Sequence, residues 1–151
     1  MKKKIIIVCV VIMVIFIILG GLFMASLYTS FEDAFEANWG IVLPDGMKEE
    51  FYQAGELGFQ GDGIRYNIFV VDEDENFFSD FEDEEDSKIE SRILELLDII
   101  NVNAKHRPNF THPYIWKHVN IGWGMFEGDG DHLYMLYDLE THELFILQDI
   151  L

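Results

Sequence analysis

The chain has 151 residues, half of them apolar, and carries 28 acidic against 10 basic side chains, a net charge of −18. That length fits one globular domain with a short appendage. The charge argues against nucleic acid and anionic lipid surfaces as partners, because both would repel it, and a single cysteine excludes a disulfide framework.

Met1-Lys2-Lys3-Lys4 is followed by 24 residues without a charge, Ile5 to Tyr28. As a helix rising about 1.5 Å per residue, this run is roughly 36 Å long, enough to span a hydrocarbon core of about 30 Å. It is longer than the apolar region of a secretory signal. Its exit also lacks a small-x-small cleavage site, because Phe23 or Tyr28 would fall at the minus-three position. The expectation is an uncleaved single-pass anchor, with secretion after signal cleavage as the alternative. Three lysines precede the run and the next base is Lys48, so the positive-inside rule places the N-terminus in the cytoplasm and the remainder outside. The chain then divides into a basic tail (1–4), a transmembrane anchor (5–28) and an acidic extracytoplasmic head (29–151). All 28 acids and only seven bases fall in the head. Its three tryptophans and six tyrosines, counting Tyr28 at the junction, supply enough apolar surface to disfavour disorder.

Within the head, Ser30-Phe31-Glu32-Asp33 fits a capping box, and Phe31, Ala34 and Phe35 recur at helical spacing. A short helix to about Asn38 is predicted, closed by Trp39-Gly40, with Leu43-Pro44-Asp45-Gly46 as a turn. Lys48–Leu57 and Ile64–Val71 read as strands of a hairpin, joined through the glycine-rich Gly58 to Gly63. Residues 72–86 hold ten carboxylates in fifteen positions. They lead into a second capping box, Ser87-Lys88-Ile89-Glu90, and an apolar stripe of Ile89, Ile93, Leu96, Leu97 and Ile100 that predicts the main helix. An earlier start at Ser79-Asp80-Phe81-Glu82 fits the same pattern.

Past Pro108 and Pro113, the segments Tyr114–Val119, Trp123–Phe126, His132–Asp138 and Glu143–Leu147 read as strands, with Gly128-Asp129-Gly130-Asp131 as a turn. The last two are apolar on both faces, which predicts central positions in the sheet. The order α-β-β-α-β-β-β-β implies an α+β fold: an antiparallel sheet with one long helix packed across it, preceded by the transmembrane helix.

Catalytic signatures are absent. There is no Gly-x-Ser-x-Gly elbow, no His-Glu-x-x-His helix and no glycine-rich phosphate loop, and Cys9 lies inside the apolar run. Three constellations could carry binding. Asp72, Asp74, Asn76, Asp80 and Asp83 follow the register of a calcium loop, whose hard cation needs several oxygens. Phe77 stands where that loop needs glycine, and the segment before it reads as a strand. The competing reading is a solvated acidic connection that also charges a helix start. Glu127, Asp129 and Asp131 form a second, smaller carboxylate group on ordinary turn chemistry.

The third constellation spans Lys105 to Phe126. It gathers Lys105, Arg107 and Lys117, the histidines His106, His112 and His118, and several aromatics. Tyr114, Trp116, His118 and Trp123 are the candidate ligand or partner residues, able to form a platform for a sugar or peptide or to pair with the acidic run. Aromatic core strands with basic ends are the plainer reading. Asn109-Phe110-Thr111 is an N-glycosylation acceptor pattern, but the Lys-rich start and Ile-rich stem have a bacterial look, and in that setting the pattern carries nothing. The expected function is a membrane-anchored, non-catalytic binding module for a cationic protein or peptide, with no cofactor. A ligand- or divalent-cation-binding sensor, with calcium as the candidate ion, is the alternative. A hydrolase assembled from scattered residues stands third.

Overall fold

The structure, a computed structural model, describes residues 30–56, 58, 62–72, 76–122 and 130–151. The proposed anchor, Ile5–Tyr28, lies outside the described residues, and among those described no helix is long and apolar enough to cross a membrane. The chain separates into two compact units, Met1–Val42 and Leu43–Leu151.

In the first unit, helix α1 (Phe31–Trp39) begins where the capping box predicts. The Ser30 hydroxyl accepts from the Asp33 amide at 3.1 Å, satisfying one of the donors that a helix start leaves over. Gly40 ends it in a left-handed conformation, φ 67°, with its N–H on the Glu36 carbonyl.

The second unit is a five-stranded, wholly antiparallel sheet with a helix on it, so the α+β expectation holds. The strands are β1 (Lys48–Ala54), β2 (Gly63–Val70), β3 (Tyr114–Gly122), β4 (Gly130–Asp138) and β5 (Glu143–Ile150), in spatial order β1-β2-β5-β4-β3. The strands that read as apolar on both faces, β4 and β5, do occupy interior positions. Of the six strand candidates, Trp123–Phe126 lies outside the described residues, and the strand before it extends to Gly122. Gly130 and Asp131, expected in a turn, open β4 instead. A side chain at Gly130 would sit 2.6 Å from the Ile121 carbonyl oxygen and the Gly122 Cα, so close cross-strand approach requires glycine here.

Helix α2 (Ser87–Ile99) lies across one sheet face. Ile93, Leu96, Leu97 and Ile100 bury against Ile64, Tyr66 and Ile68 of β2, Tyr134 and Leu136 of β4, and Phe145 and Leu147 of β5. Each such side chain contributes about 1.5–3 kcal/mol by leaving water. The helix is 13 residues, not the long element expected. Both ends are closed chemically. Asp86, one residue before the expected cap, accepts from the Lys88 and Ile89 amides at 2.8 and 3.4 Å. At the other end Asn101 turns left-handed, φ 57°, while Val102 N–H reaches Leu97 O and Asn101 N–H reaches Asp98 O, a Schellman closure with asparagine in place of glycine. The earlier start at Ser79 is not used. Phe77–Asp80 is a single 3-10 turn, and Phe81 beyond it is extended.

The two sheet edges differ. β1 presents Lys48, Glu49 and Glu50 and has an irregular register between Glu49 and Phe51, features that discourage edge-to-edge pairing. The β3 edge is covered by the chain itself. Glu82 exchanges both backbone hydrogen bonds with Trp116, at 2.7 and 2.9 Å.

Candidate functional site

The two-residue period of β3 sends Tyr114, Trp116, His118 and Asn120 to the helix-bearing face and Ile115, Lys117 and Val119 to the other. Three of the four candidate ligand residues therefore share a face, and the fourth, Trp123, lies outside the described residues. They do not converge on one pocket. Tyr114 is buried, and its hydroxyl donates to the Glu90 carboxylate of α2 at 2.5 Å. Burial, and then that bond, push its ionisation above the ordinary phenol range. Trp116 is half-buried and donates its indole N–H to the Glu84 carbonyl at 2.8 Å. His118 is exposed and faces β4.

Trp116 thus fastens the acidic run. Residues 76–86 form a strap along β3, held by the Glu82–Trp116 backbone pair, the indole bond to Glu84, and an ion pair of 2.5 Å between Lys117 Nζ and Asp80. Phe78 secures the near end by stacking on buried Tyr137, ring centroids 4.2 Å apart. Glu82, Asp83, Glu84 and Glu85 remain exposed. The pairing of basic residues with the acidic run is realised through Lys117, whereas Arg107 turns to Asp98 at 2.6 Å and to the Val102 carbonyl.

For the calcium register, Asp74 lies outside the described residues. Asp80 is engaged by Lys117, and Asp72, Asn76 and Asp83 are exposed. Among the described residues no three His, Cys, Asp or Glu side chains gather as a metal ion would need. In the second carboxylate group, Glu127 and Asp129 lie outside the described residues, and Asp131 accepts from the Leu151 amide at 3.0 Å.

A histidine cluster that sequence spacing did not indicate lies beside His118. The sequence groups His118 with His106 and His112, but the fold scatters these three. His106 stacks on Phe51 with centroids 3.9 Å apart, and His112 binds Asp138. His118 instead meets His132 of β4, Nε2 to Nδ1 at 3.0 Å. The two rings are parallel within 2° with centroids 5.3 Å apart. That separation exceeds the N···N distance by about the two ring radii, so the imidazoles meet edge to edge, not face to face. Asn120 aims its amide nitrogen at the far nitrogen of His132, 3.5 Å away. An amide donor there leaves the proton of a neutral His132 on Nδ1, from which it is donated to His118 Nε2.

Tyr134 stacks on His118 with centroids 4.6 Å apart. Partial desolvation of its ring, and then the neighbouring His132, hold His118 below the ordinary imidazole range. The signal that finds this cluster is register: His118 pairs with Tyr134 and Asn120 with His132, which sets the two histidines diagonally across the ladder. The length of the glycine-rich β3–β4 connection hides that register from the sequence.

A separate brace ties the start of β3 to the β4–β5 turn. Asp138, its side chain 3% exposed, accepts from His112 Nδ1 at 2.8 Å and from the Glu140 and Thr141 amides at 2.8 and 3.1 Å. Burial pushes its carboxyl upward, but the bonds from His112 and the two amides outweigh it and hold the carboxyl below its ordinary value. The same bond raises His112 above the ordinary imidazole range.

No protein family, curated protein or solved structure matches the chain.

Proposed function

We propose that the chain is a single-pass membrane protein whose extracytoplasmic head acts by binding, not catalysis, and that its partner is a cationic protein or peptide. The observation carrying this reading is the strap. The backbone carrying its carboxylates is held on a sheet edge by the Glu82–Trp116 pair and the Trp116 indole, and Glu82, Asp83, Glu84 and Glu85 are exposed. An acidic row already ordered before binding spares a partner much of the entropic cost of organising it. Charges this close lie within the screening length of about 8 Å at physiological salt and act together. The uncharged run Ile5–Tyr28 behind three lysines supports the tether and its sidedness.

The test is binding of a fluorescent oligolysine peptide to the full chain in nanodiscs of zwitterionic lipid, followed by anisotropy. Binding should weaken with added salt. The quadruple variant E82Q/D83N/E84Q/E85Q should weaken it about tenfold, a few tenths of a kcal/mol per exposed pair. The control E32Q/D33N/E36Q on α1 should change it little. Equal losses in the two variants would leave only general acidity, and no detectable binding would end the reading. The tether has its own check: protease added to intact cells should digest the head, and a protected head would contradict the outward orientation.

A further inference from the structure

We propose that His118 and His132 form a bidentate site for a borderline transition-metal ion, of the copper(II) and nickel(II) class. Their nearest ring nitrogens, His118 Nε2 and His132 Nδ1, stand 3.0 Å apart on adjacent strands. With metal–nitrogen bonds of about 2.0–2.1 Å, a right-angled pair of ligands requires nitrogens roughly 2.9 Å apart, and a tetrahedral pair about 3.3 Å. The two nitrogens are thus close enough for one ion to bridge them, and the general affinity order of nitrogen sites places copper(II) above both nickel(II) and zinc. Imidazole suits all three ions, while calcium and magnesium prefer oxygen.

The scaffold holds the two histidines beside one another. β4 is bonded on both sides, so His132 is fixed opposite Asn120 on β3 and Asp149 on β5, and Tyr134 backs the His118 ring. The two nitrogens point at each other through an N–H···N bond. Metal binding replaces that bond: each ring turns about its Cβ–Cγ bond, so that the two lone pairs leave the N···N line and meet at the ion. His118 is exposed and His132 half-buried, so the open side can admit the ion with water in its remaining positions.

The proton between the rings is accounted for. When His132 Nδ1 takes the metal, its proton moves to Nε2, where the Asn120 amide, turned over, accepts it through oxygen. Both rings stay neutral, and no proton is lost above the imidazole range. Below that range protons compete for the same lone pairs. The net charge of −18 concentrates cations near the surface. The site is distinct from the outward carboxylates of the strap, so its failure would leave oligolysine binding untouched.

The experiment is copper(II) and nickel(II) titration of the full chain in detergent micelles, read by equilibrium dialysis and, for copper, by electron paramagnetic resonance. One equivalent should bind with a signal split by two nitrogens, and affinity should fall in the order copper, nickel, zinc. H118Q or H132Q should weaken copper binding by roughly a hundredfold, N120A by about tenfold, and H106Q should leave it unchanged. H118Q alters an exposed side chain, and an unchanged unfolding midpoint would show that its effect is not misfolding. Copper bound equally well by H118Q and H132Q, or no stoichiometric copper bound by the wild type, would overturn the proposal.

Discussion

Replacing Asp138 with alanine should lower the stability of the full chain in detergent by about 3 kcal/mol, a shift of roughly 6–12 °C in the unfolding midpoint for a chain of this size. The side chain is 3% exposed and receives three hydrogen bonds, one from His112 and two from the amides that shape the β4–β5 turn. Alanine leaves those amides and a part-buried imidazole without an acceptor, which costs more than the bonds themselves contribute. Asp138→Asn separates charge from shape, since an amide oxygen can still accept while the carboxylate's charge is gone.

The pH dependence of that comparison has a definite sign. The folded state holds His112 above its ordinary value of about 6.5, so its share of stability is complete below that pH and fades as pH rises through the raised value. The folded state holds Asp138 below its ordinary value of about 4, so its share is complete above that pH and fades as pH falls through the depressed value. The stability difference between wild type and Asp138→Asn should therefore be largest between about pH 4 and 6.5 and shrink on either side. A difference that stays flat from pH 5 to 9 would remove the His112–Asp138 charge interaction from the account.

The residues that announced themselves in the sequence are those whose structure is local. The Ser30 cap, the stripe from Ile89 to Ile100 and the hairpin of Lys48–Leu57 with Ile64–Val71 each depend on residues close in sequence, and each appears, the strands running Lys48–Ala54 and Gly63–Val70. The apolar character of both faces of β4 and β5 also signalled interior strands, because only strands paired on both sides and covered on both faces need it.

What the sequence concealed is non-local. Nothing within residues 72–86 says that Glu82 pairs with Trp116, 34 positions away, because carboxylates beside a helix start suit a solvated connection equally well. His118 and His132 become partners only when the β3–β4 register is known. His112, which sits six residues from His118, is drawn instead to Asp138 on a different strand. Regular spacing between histidines along the chain was thus a poor guide to their proximity, whereas the two-residue period of β3 sets Tyr114, Trp116 and His118 on one face.

Two neighbouring positions on α2 make the sharpest test of how the helix sits on the sheet. Leu97 is fully buried in the core formed with β2, β4 and β5, while Ile99, two residues on, is 59% exposed. Leu97→Ala removes buried methyl groups and leaves a cavity that the sheet, fixed by its ladders, cannot close, so a loss of about 3 kcal/mol is expected. Ile99→Ala removes little buried area and replaces a β-branched residue by a better helix former, so its effect should stay within about 0.5 kcal/mol. Denaturant unfolding of the full chain should show the first variant's midpoint displaced, with the slope unchanged, and the second's nearly coincident with wild type. Similar losses at both positions would mean that the helix presents a different face to the sheet. The Schellman closure at Asn101 and Val102 and the bond from Gln53 to the Ile100 carbonyl would then need another explanation, because both fix the rotation that hides Leu97 and leaves Ile99 in water.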